Sequence, residues 1–264
     1  MLRKATQDDL PALVALRCKA ARTNRTDAAG WLQNVAGLEN ILLLVKSGAP
    51  PAAMLAAVPV EYGQHHGVWL CGLAGEQGVP LDRLLPKLLE SCLRAYGASG
   101  FDFAVMTPEG AQHADALKQL GFTAQLPLRV LQTPIRRDLL AQASFDSLTV
   151  HKLLEMRHIY QPGCITLPES AMNEIMTQLY RRGLTVVSNR RGYGLYYTSG
   201  DTLQFLELQA DNDHCADRLL QAAREKTGAA NARILLAESQ TLYLGAGRRC
   251  GYGMLAFLGK PFPV

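Results

Sequence analysis

The sequence predicts a mixed α+β fold built from two similar halves. Short apolar runs bounded by glycine, proline or polar residues recur along the 264 residues, and stretches with helical hydrophobic spacing separate several of them. In each half a group of strands is followed by a helix and a further strand. We therefore expect two tandem α+β domains, each with a mixed sheet, over residues 1–134 and 145–264.

The first half begins with a short strand and then a helix. Asp8 or Asp9 provides an N-cap, Pro11 fits the first turn, and apolar residues follow with helical period. A second short helix is predicted over 27–35, and turn-rich segments of hairpin length separate the next three strands. The predicted strands of this half span residues 2–5, 41–46, 52–60, 67–73, 101–107 and 123–132.

The centre of the first half is a βαβ unit. A buried strand ends near Leu73, apolar residues with helical spacing follow from Leu84 to Leu93, and a second apolar strand begins at Phe101. The amide groups of a helix N-terminus are unpaired and lie at the positive end of its dipole, so a ligand of such a unit binds where strand gives way to helix. That place is residues 74–86.

The second half repeats this order. An offset of 131 residues carries Leu88-Leu89 onto Leu219-Leu220, and the same offset carries the strand 101–107 onto 232–238. A slip of one residue then places Gly121-Phe122 on Gly251-Tyr252. Identity is slight, so a coincidental βαβ order is the alternative, but order and spacing together favour a duplicated fold.

Composition argues against several classes of protein. The net charge is +4, and Lys and Arg are scattered in pairs at most, which does not favour nucleic acid binding. No apolar run has the length of a membrane span, and the start lacks the apolar region of a signal peptide. The six cysteines have no zinc-type spacing, so we expect reduced thiols, no metal and a cytoplasmic protein. Oligomeric state is not indicated.

The element order, the ending Leu120-Gly121-Phe122 and the position in the chain resemble the GCN5-related N-acetyltransferases. The resemblance covers residues 2–132. It implies acetyl-coenzyme A as the cofactor, with its pyrophosphate in the loop after the fourth strand. It also implies that the pantetheine arm pairs with main-chain groups of Leu73, Ala74 and Gly75, which requires no particular side chain.

The cofactor loop departs from the family pattern. The family's glycine-rich phosphate motif falls on residues 80–85, where none of the glycines is present and Pro80 removes one amide donor. Arg83, Leu84 and Leu85 are the cofactor-binding candidates that remain, with Arg83 either pairing with a phosphate or lying solvated at the surface. The corresponding loop of the second half is shorter and acidic, so that domain is expected to be degenerate and to bind no nucleotide.

The catalytic pattern is also incomplete. The family's general acid, a tyrosine, corresponds to Leu117, and Glu109 is the candidate general base, with capping of the next helix as the alternative role. The hairpin that faces substrate in related folds carries four further candidates, although adjacent loop histidines are commonly solvated. These substrate-cleft candidates are Glu61, Tyr62, His65 and His66.

Two functions follow from these observations. The first is an acetyl-CoA-dependent N-acetyltransferase acting on a small-molecule or peptide amine, an expectation that rests mainly on resemblance of fold. The second is a non-catalytic relative that uses its cleft for ligand sensing or protein binding. The βαβ unit and its retained loop length favour the first, whereas the missing glycines and Leu117 favour the second.

Overall fold

The computed structural model describes residues 2–45, 49–76, 81–161, 163–240 and 242–263, and the side chains of residues 81–85 lie outside the described part. The chain forms two compact units. The first consists of Met1–Gln125, Ile165–Met176 and Gly253–Val264, and the second of Leu126–Cys164 and Thr177–Tyr252. The units are interleaved along the chain, whereas the predicted domains are sequential, because Ile165–Met176 and the end of the chain pack within the first unit.

The predicted α+β class is confirmed by the element content. The strands are β1 (Leu2–Lys4), β2 (Ile41–Val45), β3 (Pro51–Tyr62), β4 (His65–Gly75), β5 (Phe103–Met106), β6 (Phe122–Pro134), β7 (Thr185–Asn189), β8 (Gly192–Ser199), β9 (Thr202–Ala210), β10 (Asn231–Ala237) and β11 (Arg248–Phe257). The helices are α1 (Leu10–Ala21), α2 (Arg25–Gly30), α3 (Leu81–Ala98), α4 (Ala111–Gln119), α5 (Val150–Tyr160), α6 (Glu169–Arg181) and α7 (Asp213–Thr227). A π-helical segment, Trp31–Ala36, continues α2.

The first unit contains a mixed sheet in the order β1-β2-β3-β4-β5-β11. The first four strands pair antiparallel, β4 and β5 pair parallel, and the end of β11 pairs antiparallel with β5, from Met254 opposite Met106 to Phe257 opposite Phe103. The sequence predicts 123–132 as the last strand of this half. The end of the chain takes that place beside β5 instead.

Read from β7, the five strands of the second unit pair in the same pattern as β2-β3-β4-β5-β11 of the first. Its sheet runs β6-β10-β9-β8-β7, with β9 and β10 parallel and the other pairs antiparallel. The part of β6 from Leu128 to Pro134 pairs with β10, as the end of β11 pairs with β5 in the first unit. Residues 238–240 and 242–247, which follow β10, form turns, bends and irregular chain.

A buried carboxylate sets the start of α1. Asp9 accepts hydrogen bonds from Arg3 Nη1 and Nη2 at 2.7 Å each, from the Thr6 N–H at 2.9 Å and from the Thr6 hydroxyl at 3.0 Å. The Arg3 guanidinium, helped by Thr6 and opposed by burial, holds the pKa of Asp9 well below its usual range. With Asp9 fixed, Leu13 and Leu16 of α1 are buried in the core of the first unit, which also contains Trp31.

Among the described residues no helix is both long and apolar enough to cross a bilayer.

Candidate functional site at the end of strand β4

Strands β4 and β5 diverge at the end of a short parallel ladder. Gly67, Val68 and Trp69 pair with Phe103, Ala104 and Val105. Beyond this ladder, the described part of β4 continues to Gly75 with β3 as its partner. The main chain of 70–75 therefore has a side that faces the opening between the two strands, which is where an extended ligand can add as a further strand.

A bulge shapes β4 at this opening. Ala74 lies opposite Met54 and Cys71 opposite Ala56, so Gly72 and Leu73 share the place opposite a single residue of β3. Gly72 has a φ of +65°, and a Cβ atom added there would lie 2.4 Å from Cη2 of Trp31. Glycine is required here for both reasons. The structure thus places Leu73, Ala74 and Gly75 at the divergent end of β4, and their role in cofactor binding stays a prediction.

Helix α3 begins at Leu81, shortly after the end of β4. Its first amide groups have no intrahelical acceptor, so they are donors available to an anion at this edge of the sheet. The backbone of Arg83, Leu84 and Leu85 lies in the first turns of α3. Their side chains, and the loop residues 77–80 that include Pro80, lie outside the described part, so their contribution stays a prediction.

Pro86 lies inside α3, as the sixth residue of the helix. Proline has no N–H, so the carbonyl of Asp82 lacks its usual intrahelical donor. The helix extends past this point because its following turns bury Leu88, Leu89 and Cys92.

Arg17, which was not among the candidates from the sequence, lies near the bulge. The guanidinium carbon of Arg17 lies 3.9 Å from the centroid of the Trp31 ring, and Arg17 Nε is buried without a hydrogen-bond partner. Burial lowers the pKa of Arg17 and raises that of the neighbouring Cys71 thiol to about 12. Arg17 follows Leu13 by four residues, so both lie on the apolar face of α1. A cation on that face was the sequence signal that could have identified Arg17 as a candidate.

Glu109 lies at the same edge as Gly75, because it follows β5 and β5 runs parallel to β4. Its side chain is exposed, and its backbone N–H donates to Nδ1 of His113 at 3.2 Å. Burial lowers the pKa of His113, and the Glu109 carboxylate partly offsets this. With Nδ1 accepting, the neutral imidazole carries its proton on Nε2, which is buried without a partner.

His113 and Leu117 lie one turn apart on the same face of α4. Leu117 is fully buried, so it contributes packing where the resembling enzymes place their acid. The sequence analysis did not consider His113. Its spacing of four residues before Leu117 was the signal that could have found it.

The four substrate-cleft candidates lie where β3 joins β4, at the opposite end of β4 from Gly75. Nine residues separate His66 from Gly75 along the strand, roughly 30 Å at about 3.3 Å per residue. His65 stacks on Phe262 with ring centroids 3.7 Å apart, and Tyr62 stacks on the same ring at 5.9 Å. The main chain of Glu61 pairs with Thr166, and His66 Nδ1 lies 4.0 Å from the Glu61 carboxylate. The structure does not bring these residues together with Leu73–Gly75, and their role in substrate binding stays a prediction.

The corresponding place in the second unit is filled by the chain itself. The Asp213 carboxylate, in the first turn of α7, accepts the N–H groups of Tyr243 and Leu244 at 2.9 and 3.1 Å. Arg129 donates to the carbonyls of Leu242, Tyr243 and Gly245 at 2.6, 2.9 and 2.7 Å. Leu242 is buried in the core of the second unit. An anion would meet both a carboxylate and bound main chain at this helix end.

Comparisons with known proteins agree with this geometry. No protein-family model matches the chain, and no curated protein matches it. Solved structures do. A GCN5-related N-acetyltransferase from Anabaena variabilis superposes with a TM-score of 0.73 at 13% identity, covering 98% of this chain and 73% of that one. One from Kribbella flavida gives 0.69 at 14% identity, covering 98% and 72%. A tandem GNAT protein from the clavulanic acid biosynthesis pathway gives 0.56 at 11% identity, covering 99% and 100%.

The chain therefore has the fold of the GCN5-related N-acetyltransferases, and this likeness extends over almost its whole length. The resemblance inferred from the sequence is confirmed at the level of fold. At these identities the likeness concerns the fold alone.

Proposed function

We propose that this protein is an acetyl-CoA-dependent N-acetyltransferase that acts on a small-molecule or peptide amine. The divergence of β4 from β5 beyond the pair Trp69–Val105 carries the proposal, because it opens a strand edge beside a helix N-terminus in a fold shared with acetyltransferases. We further propose that the protein acts in the cytoplasm, and that its partner is the amine and not a nucleic acid or a membrane.

The described residues suit the pantetheine part of the cofactor. Main-chain groups of Leu73, Ala74 and Gly75 at the bulge are the candidates to pair with its amides, and the first amides of α3 are the candidates for its phosphates. Bound acetyl-CoA would supply an acetyl group activated as a thioester. The missing loop glycines reduce the number of amide contacts, so weak affinity is expected.

Two side chains at this edge are suited to acetyl transfer, one as a proton acceptor and one as a hydrogen-bond donor. Glu109 has an exposed carboxylate that can accept a proton from an ammonium group. His113 carries a proton on Nε2 without an acceptor among the described residues, one turn from the place where the resembling enzymes position their acid. We assign Glu109 as the base and the neutral imidazole of His113 as a hydrogen-bond donor to the departing thiolate.

The alternative is a non-catalytic protein of the same fold that senses a ligand or binds a protein. Burial of Leu117 favours it, because the acid expected from the resemblance is replaced by a core residue. The two functions differ in the cofactor affinity that they require.

Calorimetric titration with acetyl-CoA separates them. Micromolar or tighter binding contradicts the non-catalytic alternative, and no detectable binding at millimolar ligand contradicts the acetyltransferase. Where binding is found, Leu73→Pro should abolish it and Leu73→Ala should retain it, since only proline removes the strand N–H. Arg83→Ala should weaken binding less than tenfold, about 1.4 kcal/mol. Circular dichroism of both Leu73 variants controls for folding.

Glu109→Gln and His113→Phe test the two assigned roles. Each variant should lower the rate of acetyl transfer about 10²-fold or more without weakening acetyl-CoA binding. Unchanged rates in either variant contradict the role given to that residue.

A further inference from the structure

Arg17 brings a positive charge to the bulge of β4, and no carboxylate among the described residues pairs with it. Helix α1 contains no acidic residue. In the part of the chain that the structure describes, the Arg17 guanidinium has an aromatic ring as its neighbour and its Nε has no hydrogen-bond acceptor. An arginine with its charge half-buried and unpaired is costly to folding, so such an arginine is a candidate for function.

The neighbouring thiol does not neutralise Arg17. Cys71 is the nearest ionisable group on β4, and burial raises the pKa of its thiol to about 12. At neutral pH Cys71 is therefore protonated and uncharged. Among the described residues the positive charge of Arg17 is therefore not balanced, and a group from outside the protein can pair with it.

Trp31 fixes where that group would bind. Arg17 lies over the ring of Trp31, and the outer edge of the same ring, at Cη2, lies next to Gly72. Trp31 thereby holds the guanidinium near Gly72, which directly precedes Leu73, Ala74 and Gly75. Because stacking presents one edge of the planar guanidinium, a single planar carboxylate suits it, whereas a phosphate dianion usually draws on several donors.

We infer that Arg17 binds a carboxylate of the acceptor, so that the amine substrate is an amino acid or another amine that carries a carboxylate. This inference rests on the proposed function, which places the acetyl donor along Leu73–Gly75. Arg17 then acts in substrate binding, and Trp31 and Gly72 position it.

Tryptophan fluorescence tests the inference without any acetyl transfer. Trp31 and Trp69 are the two tryptophans of the chain, so Trp69→Phe leaves Trp31 as the reporter. Glycine, β-alanine and γ-aminobutyrate are titrated at constant ionic strength, each beside its own amide, which lacks the carboxylate. Inorganic phosphate is titrated separately. The same titrations are made with Arg17→Met, which retains an apolar stem over Trp31, and with Arg17→Lys, which retains the charge without the planar fork.

At least one amino acid should change Trp31 emission saturably, with its amide at least tenfold weaker. Arg17→Met should weaken that amino acid at least tenfold, and Arg17→Lys should fall between. No saturable change with any of the three, equal binding of the amides, or equal binding by Arg17→Met overturns the inference. So does phosphate binding that depends on Arg17 when no amino acid binds. Carboxylate binding together with absent acetyl-CoA binding would uphold the carboxylate site and reject the acetyltransferase.

Discussion

Gly72 lies in the bulge and next to the Trp31 ring on which Arg17 stacks, so Gly72→Ala is a direct structural test of the site. Two costs are expected. Alanine at a φ of +65° is strained by about 1 kcal/mol. A Cβ atom 2.4 Å from Trp31 Cη2 must in addition displace a ring that is 8% exposed, and overpacking of this kind costs about 1–3 kcal/mol.

The sum is about 2–4 kcal/mol, which corresponds to a fall in melting temperature of roughly 4–16 °C for a protein of this size. Two other glycines separate the contributions. Gly100 has a φ of +83° and open space around its missing Cβ, so Gly100→Ala measures backbone strain alone, about 1 kcal/mol. Gly67 lacks a positive φ, but its Cβ would lie 2.2 Å from the Phe103 ring, so Gly67→Ala measures overpacking alone.

Thermal and urea unfolding of the three variants are compared with the wild type, together with the emission of Trp31 in a Trp69→Phe background. Gly72→Ala should cost clearly more than Gly100→Ala and should shift Trp31 emission. If Gly72→Ala and Gly100→Ala lose equal stability, Trp31 is not packed against Gly72, and the reasoning that places Arg17 at the bulge fails.

Three further outcomes are expected. Asp9 has a lowered pKa in the folded state, so its stabilising effect should be fully present above about pH 4, the pKa of an unfolded aspartate, and should decline below it. The urea midpoints of wild type and Asp9→Asn should therefore converge as the pH falls. Thiol titration of denatured, unreduced protein should find six free thiols, and any native disulfide would contradict this. In the native protein, exposed Cys250 should react before Cys71, which is less exposed and whose thiol pKa is raised. Glu207→Gln should cost about 3–5 kcal/mol, because it removes the carboxylate that balances the buried charge of Arg157 through bonds of 2.6 and 2.9 Å. Arg157→Met with Glu207→Met should cost less than Glu207→Gln alone, as measured by urea unfolding.

The sequence by itself determined the elements and the class of fold. Strand and helix positions follow from local periodicity, because a side chain's burial depends on its position within its own strand or helix. The repeat between the two halves showed in the same way, since Leu88-Leu89 and Leu219-Leu220 occupy equivalent places in α3 and α7. Gly72 also stood in the predicted strand, but its left-handed conformation was not visible there.

The tertiary structure decided which strands pair and which side chains meet. The partner of β5 is chosen by contacts that span the chain, so the end of β11 takes the place that 123–132 was predicted to fill. Arg17, Trp31 and Gly72 are likewise far apart in sequence, and no local pattern reports that they touch. The ends of β4 illustrate the same limit. The sequence indicated candidate site residues at both Glu61–His66 and Leu73–Gly75, but a strand of 11 residues keeps its two ends roughly 30 Å apart.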